Sequence, residues 1–173
     1  MNIVHIVHGK ANPNEHNGIS RVVYFLNKHE KMQGHNSQIW AVVDGQKKHE
    51  TYKRDEFVTV EMFPRVTYLN SNSAESICRY IQEHKDEIDI IHFHMIWFID
   101  KNIIAGTIKK CNIPIVITTH GTYSKPHART GKRLFAKMFY EVKYLNNATE
   151  IHALQPDETY GNYKYGVRVP QFV

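Results

Sequence analysis

Apolar and polar positions follow two periods along this chain, and the switches between them outline alternating strands and helices. Asn2–His8 is β-branched and apolar enough to read as a first strand. Gly9–Asn17 is polar, and Pro13 excludes a helix through it. From Gly18 onward, Ile19, Val22, Val23 and Leu26 fall at i, i+3, i+4 and i+7, the apolar stripe of a helix. Gly34 ends that helix at the left-handed position that favours glycine. Ser37–Val43 reads as the second strand, and Asp44-Gly45 turns out of it. Gln46–Glu56 is charged and aperiodic, an exposed excursion. Phe57–Phe63 reads as a third strand closed by Pro64.

The second half repeats the alternation. Asn72, with Glu75 three residues on, forms a capping pair for a helix through Ile77, Tyr80, Ile81 and His84. Ile88–His94 is the fourth strand, and Asp100 is the expected N-cap of a helix that includes Ile103–Lys110. The fifth strand is Ile113-Pro-Ile-Val-Ile-Thr-Thr-His-Gly121, apolar on both faces, as a parallel strand covered by helices requires. A basic loop follows, Thr122–Thr130, then a long amphipathic helix with Leu134, Phe135, Met138, Phe139, Val142 and Leu145. Glu150–Leu154 is a short sixth strand, Gln155–Gly166 a brief helix, and Val167–Val173 extended. Such alternation predicts an α/β fold: βαβ units in a Rossmann-like, doubly wound parallel sheet.

Composition narrows the class. The 173 residues suffice for one domain with a sizeable core, and a mean hydropathy of -0.49 implies a polar surface. No apolar run approaches the roughly 20 residues of a membrane-spanning helix. The start, Met-Asn-Ile-Val-His, lacks the basic region of a secretory signal, so a cytoplasmic location is expected. Cys78 and Cys111 have no metal or redox spacing and read as buried thiols in a reducing compartment. A net charge of +5 is compatible with anionic partners. No recognition motif directs that charge to nucleic acid, and a merely solubilising basic surface explains it equally well.

Candidate chemistry collects at strand ends. In open parallel sheets ligands bind outside the carboxyl ends of the strands, which is where His120 and Gly121 fall. Alternation points His92 and His94 to one face, His92 as a hydrogen-bonded core residue and His94 as a cleft-lining one. Three histidines invite a zinc site, but no acidic or cysteine partner at motif spacing supports one, and no metal is expected. Gly18 opens a helix where free N–H groups and the helix dipole favour a phosphate; the plain alternative is a helix cap. Lys125, His127, Arg129, Lys132 and Arg133 crowd the basic loop and the helix start behind it. They form either a solvated surface or an acceptor-side loop that meets phosphate or anionic lipid. Asp157-Glu158, at the start of the last helix, suits the helix dipole, which accounts for it without further function. No Ser/His/Asp or Cys/His arrangement points to nucleophilic catalysis.

Taken in order, these pieces resemble the N-terminal domain of a retaining GT-B-fold glycosyltransferase of family four. The resemblance rests on Asn17-Gly-Ile-Ser20 after the first strand and the Gly34-His35 step. It continues through Asp89-Ile-Ile-His-Phe-His94, the Ile113–Gly121 strand and Ala148–Glu158. Asn17 stands where the family usually has the first of two glycines. Gln155 stands where a serine or threonine usually precedes the glutamate by three. The resemblance implies that residues 1–173 form the acceptor-side half, with a C-terminal nucleotide-sugar-binding domain absent from this chain. It implies a nucleotide-sugar donor, a polysaccharide or lipid-linked acceptor, retention, no cofactor and no obligatory metal. It implies that His120 contacts the donor sugar, that Gly18 approaches the donor diphosphate, and that His94, Gly121, Lys125 and Arg129 line the cleft or acceptor side. Such enzymes work in the cytoplasm, and peripheral contact with the inner membrane face is part of the same expectation. Two other classes stay open: a stand-alone Rossmann-like nucleotide-binding module, and a non-catalytic subunit of a split glycosyltransferase.

Overall fold

Strand β1 (Asn2–His8) runs near the middle of a sheet in a computed structural model that describes residues 1–14, 18–94, 100–121, 140–164 and 166–173. After it come α1 (Gly18–Met32), β2 (Asn36–Val43), β3 (Glu50–Lys53) and β4 (Thr59–Pro64). Then follow α2 (Ile77–Glu83), a single 3₁₀ turn (Lys85–Glu87), β5 (Ile90–Phe93) and α3 (Asp100–Lys110). The described chain closes with β6 (Ile115–Thr118), α4 (Val142–Leu145), β7 (Glu150–His152), α5 (Pro156–Lys164) and β8 (Gln171–Phe172). The strands lie in the order β3-β4-β2-β1-β5-β6-β7-β8, every described pair parallel except β3 with β4. From β1 the chain first winds outward through β2 and β4, then returns to place β5 on the other side of β1. The crevice between the carboxyl ends of β1 and β5 is therefore a topological switch point.

Alternation along the strands feeds two cores. Val4, Ile6, Trp40, Val42, Ile91, Phe93, Ile115, Ile117 and Ile151 face α2, α3 and α4 in the larger one. Full burial of such side chains contributes about 1.5–3 kcal/mol each. On the opposite face, Ile39, Ala41, Val43, Val60 and Met62 pack with Val23 and Tyr24 of α1. Helices on both faces make the sheet doubly wound. Among the described residues no helix is long and apolar enough to cross a membrane.

Several local expectations are corrected. The stretch Gln46–Glu56 holds a strand, β3, which makes the sheet antiparallel at that edge. All four of its residues are exposed, so it has no buried face and leaves no hydrophobic period to read. Helix α2 is capped by Ser76, whose Oγ accepts from Cys78 N at 3.1 Å, and not by Asn72. Glu75 accepts instead from His49 N. Asp100 lies inside the first turn of α3, its buried carboxylate accepting from Arg65 Nε at 2.5 Å. Cys78 is buried as expected, but Cys111 only partly.

Helix α1 is turned away from its predicted stripe. It buries Ser20, Val23, Tyr24 and Asn27, while Val22 is 49% exposed. The cause lies under the helix, where the sheet offers His5 and Ser37: Asn27 Nδ2 donates to Ser37 Oγ at 2.8 Å. Of the expected long helix, Leu134, Phe135, Met138 and Phe139 lie outside the described residues, as does the loop Thr122–Thr130. Val142 and Leu145 are helical in α4.

Candidate functional site

The α1-facing side of the sheet carries a cluster of polar side chains at the switch point, whereas the other face is apolar along the strands until His8, at the end of β1, meets Asp44 at 3.4 Å. His5 on β1 sits directly opposite His92 on β5, and His94 follows β5 on the same face. Their rings stand close: the centroids of His92 and His94 are 4.1 Å apart, and both lie 5.4 Å from that of His5. His5 Nδ1 and His94 Nε2 are 3.1 Å apart, and His94 Nδ1 and His120 Nε2 3.0 Å. On its other side, His5 Nε2 is 2.7 Å from Glu30 Oε2 on α1, and Ser37 Oγ donates to the same oxygen at 2.7 Å. A second row crosses the strands: His92 Nε2 lies 2.6 Å from Thr118 Oγ1, which lies 3.1 Å from His152 Nδ1.

The turn that presents His120 is held in an unusual backbone conformation. Strand β6 ends at Thr118, and then His120 and Gly121 adopt φ of +49° and +78°. Glycine reaches the left-handed region freely, whereas a residue with a Cβ is strained there by about 1–2 kcal/mol. The neighbouring contacts maintain it. Thr119, fully buried, donates from Oγ1 to Glu158 Oε1 at 2.8 Å and from its N to His152 O at 3.3 Å. The other oxygen of Glu158 accepts from Leu154 N at 2.7 Å. Ala11, in the loop after β1, also has a left-handed φ of +48° and is buried. Strain of this kind gathers where surrounding structure over-determines a site.

Burial sets the charge state of the cluster. It lowers the His92 pKa to about 3, helped by His5, His152 and His120. His94, wholly enclosed, is pushed well below the usual histidine value by burial and then by His92, His5 and the other rings. Burial lowers His120 to about 4 against the opposing field of Glu158. These three imidazoles are thus neutral at pH 7. For Glu30, burial pushes upward, but the hydrogen bonds from His5 and Ser37 outweigh it and hold the carboxyl below its usual value. Each of His5, His92 and His94 offers a nitrogen within 4.8 Å of the others, a grouping that could hold a metal ion. Those nitrogens already engage one another, Glu30 or Thr118.

Of the residues singled out from sequence, the fold brings His94, His120 and Gly121 together. Gly18 opens α1 on the same edge of the sheet, since α1 follows the carboxyl end of β1. Its φ is not left-handed and an added Cβ would meet nothing within 4 Å, so neither backbone nor packing demands glycine there. Lys125 and Arg129 lie outside the described residues. Sequence reasoning missed His5, Glu30, Thr118 and His152, and gave Glu158 only a helix-dipole role. One signal was available: His5 interrupts an otherwise apolar strand at a position in phase with Ile3 and Val7.

The comparisons with known proteins agree in direction. The family model described as Glycosyltransferase Family 4 matches residues 16–158. A search of the curated proteins gave no match. Among solved structures, the chain is similar to HepE of Anabaena in complex with UDP and glucose, with 16% identity and a TM-score of 0.64. That match covers 100% of this chain and 44% of HepE. It is similar also to sucrose-phosphate synthase of Thermosynechococcus elongatus, with 12% identity and a TM-score of 0.65, over 99% of this chain and 47% of that one. The chain therefore spans less than half the length of these solved relatives, and at such identities the likeness is one of fold.

Proposed function

The chain belongs to glycosyltransferase family 4, and on that premise we propose that it forms the N-terminal, acceptor-side half of a GT-B hexosyltransferase. The complete enzyme moves a sugar, with retention, from a nucleotide-sugar donor to a polysaccharide or lipid-linked acceptor. A C-terminal domain holding most of the nucleotide contacts completes the cleft. The observation that carries this is His120: a neutral imidazole in a strained turn at the carboxyl end of β6, joined to His94 at the switch point. HepE, of similar fold, holds UDP and glucose, which supports a uridine-type sugar nucleotide as the first donor to try.

In this enzyme His120 orients the donor sugar by hydrogen bonding, and Gly121 lets the chain turn away beneath it. The first N–H groups of α1, reached without obstruction at Gly18, take the donor diphosphate, whose negative charge the helix dipole favours. No metal or other cofactor is required in this scheme. His120 is no nucleophile: the acceptor attacks the face that the diphosphate leaves, and the departing phosphate takes the acceptor's proton. Gly121 lines the cleft, whereas His94, expected there from the sequence, is buried and supports His120 from behind. Lys125 and Arg129 meet the acceptor's phosphate or an anionic membrane surface on the cytoplasmic side.

The test is transfer itself. The complete enzyme, given a panel of nucleotide sugars and a lipid-linked acceptor, is expected to transfer sugar, and residues 1–173 alone are expected to transfer none. One wall of the desolvated cleft is then missing. Robust turnover by residues 1–173 alone, or no transfer from any nucleotide sugar by the complete enzyme, contradicts the proposal.

A further inference from the structure

Four side chains form an unbroken line from helix α1 to the strained turn after β6: Glu30, His5, His94 and His120. The three links measure 2.7, 3.1 and 3.0 Å. His5 and His94 are buried, with 0% and 2% of their surface exposed, so this line crosses the interior and not the solvent. Sugar binding alone does not explain it, because a histidine merely lining a cleft needs no carboxylate three residues away along such a line.

Its direction follows from counting protons. Every link needs one hydrogen, and a neutral imidazole carries one N–H and one bare nitrogen. An ionised carboxylate can only accept, and Glu30 already accepts from Ser37 Oγ at the same oxygen. Taken as a neutral ring, His5 donates from Nε2 to that carboxylate, which leaves its Nδ1 bare. His94 fills that need from its Nε2 and is left with a bare Nδ1. His120 then donates from Nε2, so its own Nδ1 carries a lone pair. Among the described residues Nδ1 of His120 has no hydrogen-bond partner.

We propose that Glu30, acting through His5 and His94, fixes His120 as the Nε2–H tautomer and so presents Nδ1 to the cleft as a hydrogen-bond acceptor. Glu30 and His5 are positioning residues: they set what His120 can bind without touching a ligand. The group recognised is a hydroxyl that donates, and a deoxy or O-methyl sugar at that position loses the bond. A lone pair also points the negative end of the ring dipole at any positive charge that develops on the sugar. This consequence for sugars rests on the donor-side role proposed above, whereas the tautomer rests on the hydrogen bonds alone.

Other groups bear on the line from each element packed against it. His35, ahead of β2, faces Glu30; His92 of β5 stands against His5 and His94; His152 of β7 and Glu158 of α5 act on His120. None of them supplies a competing hydrogen to the three links, since His92 is turned to Thr118 and Glu158 to Thr119 and Leu154. Burial keeps His94 and His120 neutral; the count also takes His5 as neutral, and an imidazolium there, donating from both nitrogens, would reverse the line and overturn the proposal.

Long-range proton–nitrogen spectra of the ¹⁵N-histidine-labelled chain at neutral pH read each tautomer directly. Single His→Gln variants assign the signals, and no sugar or activity is needed. His5, His94 and His120 are expected to carry their protons on Nε2, with Nδ1 bare. Glu30→Gln gives His5 an amide that can donate as well as accept, and His120 should move toward the Nδ1–H form. Ser37→Ala leaves the carboxylate in place and should leave His120 as in the native chain. A native His120 protonated on Nδ1 overturns the proposal, as do metal-ligand shifts at His5 and His94 in freshly purified protein. An unchanged His120 tautomer in a folded Glu30→Gln variant also overturns it. If that variant does not fold, the native tautomers decide alone. Because none of these readouts involves transfer, failure here leaves the glycosyltransferase assignment standing, and the converse holds too.

Discussion

Thr119 Oγ1 donates to Glu158 Oε1 at 2.8 Å, and both residues are fully buried, 39 positions apart in sequence. Through this contact the first turn of α5 grips the residue immediately before His120. The second oxygen of Glu158 reaches back to Leu154 N, so one carboxylate ties β7's exit and β6's exit to the same helix.

Removing that carboxylate strands two donors. Glu158→Ala is expected to destabilise the chain by roughly 1–3 kcal/mol, chiefly through the buried Thr119 hydroxyl left unpaired, since Leu154 is half exposed. Glu158→Gln, which keeps an acceptor oxygen, should cost clearly less. Urea unfolding of the three proteins checks this. An alanine variant as stable as the native chain would show that these two hydrogen bonds add nothing to stability.

The histidine cluster makes stability depend on pH below neutrality. His92 and His120 titrate near 3 and 4 in the folded chain, both lowered chiefly by burial, and His94 is lowered too. Unfolded histidines titrate near 6.5. Between those limits the unfolded state binds more protons, so stability is full above about pH 6.5 and falls as the pH drops toward 4. The slope is at most about 1.4 kcal/mol per pH unit for each such histidine. Unfolding free energies measured from pH 7.5 to 5 should therefore decline; a flat profile would mean that the rings are not held neutral.

Lys101 on α3 is buried against Glu141, with its ammonium 4.5 Å above the Tyr144 ring. Burial lowers the Lys101 pKa while Glu141 raises it, so loss of the carboxylate leaves a poorly compensated cation. Glu141→Leu is expected to cost roughly 3–5 kcal/mol, and adding Lys101→Met should recover most of that loss. A double-mutant cycle by thermal or urea unfolding measures the coupling. Additive losses would deny it.

The order of elements was legible because the α/β alternation writes a change of hydrophobic period at nearly every boundary. Asn2–His8 coincides with β1, and the left-handed Gly34 ends α1's turn as predicted. What failed to show was whatever lacks an apolar face. Strand β3 is exposed on both sides, and α1 presents Asn27 and Glu30 to a polar patch, so an apolar stripe chose the wrong side of the helix. The site was half legible for the same reason. His94 and His120 stand at strand ends, where position alone marks them. His5 and Glu30 lie within elements, and only pairing β1 with β5 and laying α1 across them brings the four into line.

His120 decides the account. If His120 holds the donor sugar as proposed, His120→Ala in the complete enzyme removes one positioned polar contact. Such a loss should lower transfer by about a hundred- to thousandfold, with nucleotide affinity and melting temperature nearly unchanged. Transfer, nucleotide binding and thermal unfolding measured on the same preparation test this together. A fully active variant would contradict the account, and so would one whose loss of transfer only follows its unfolding.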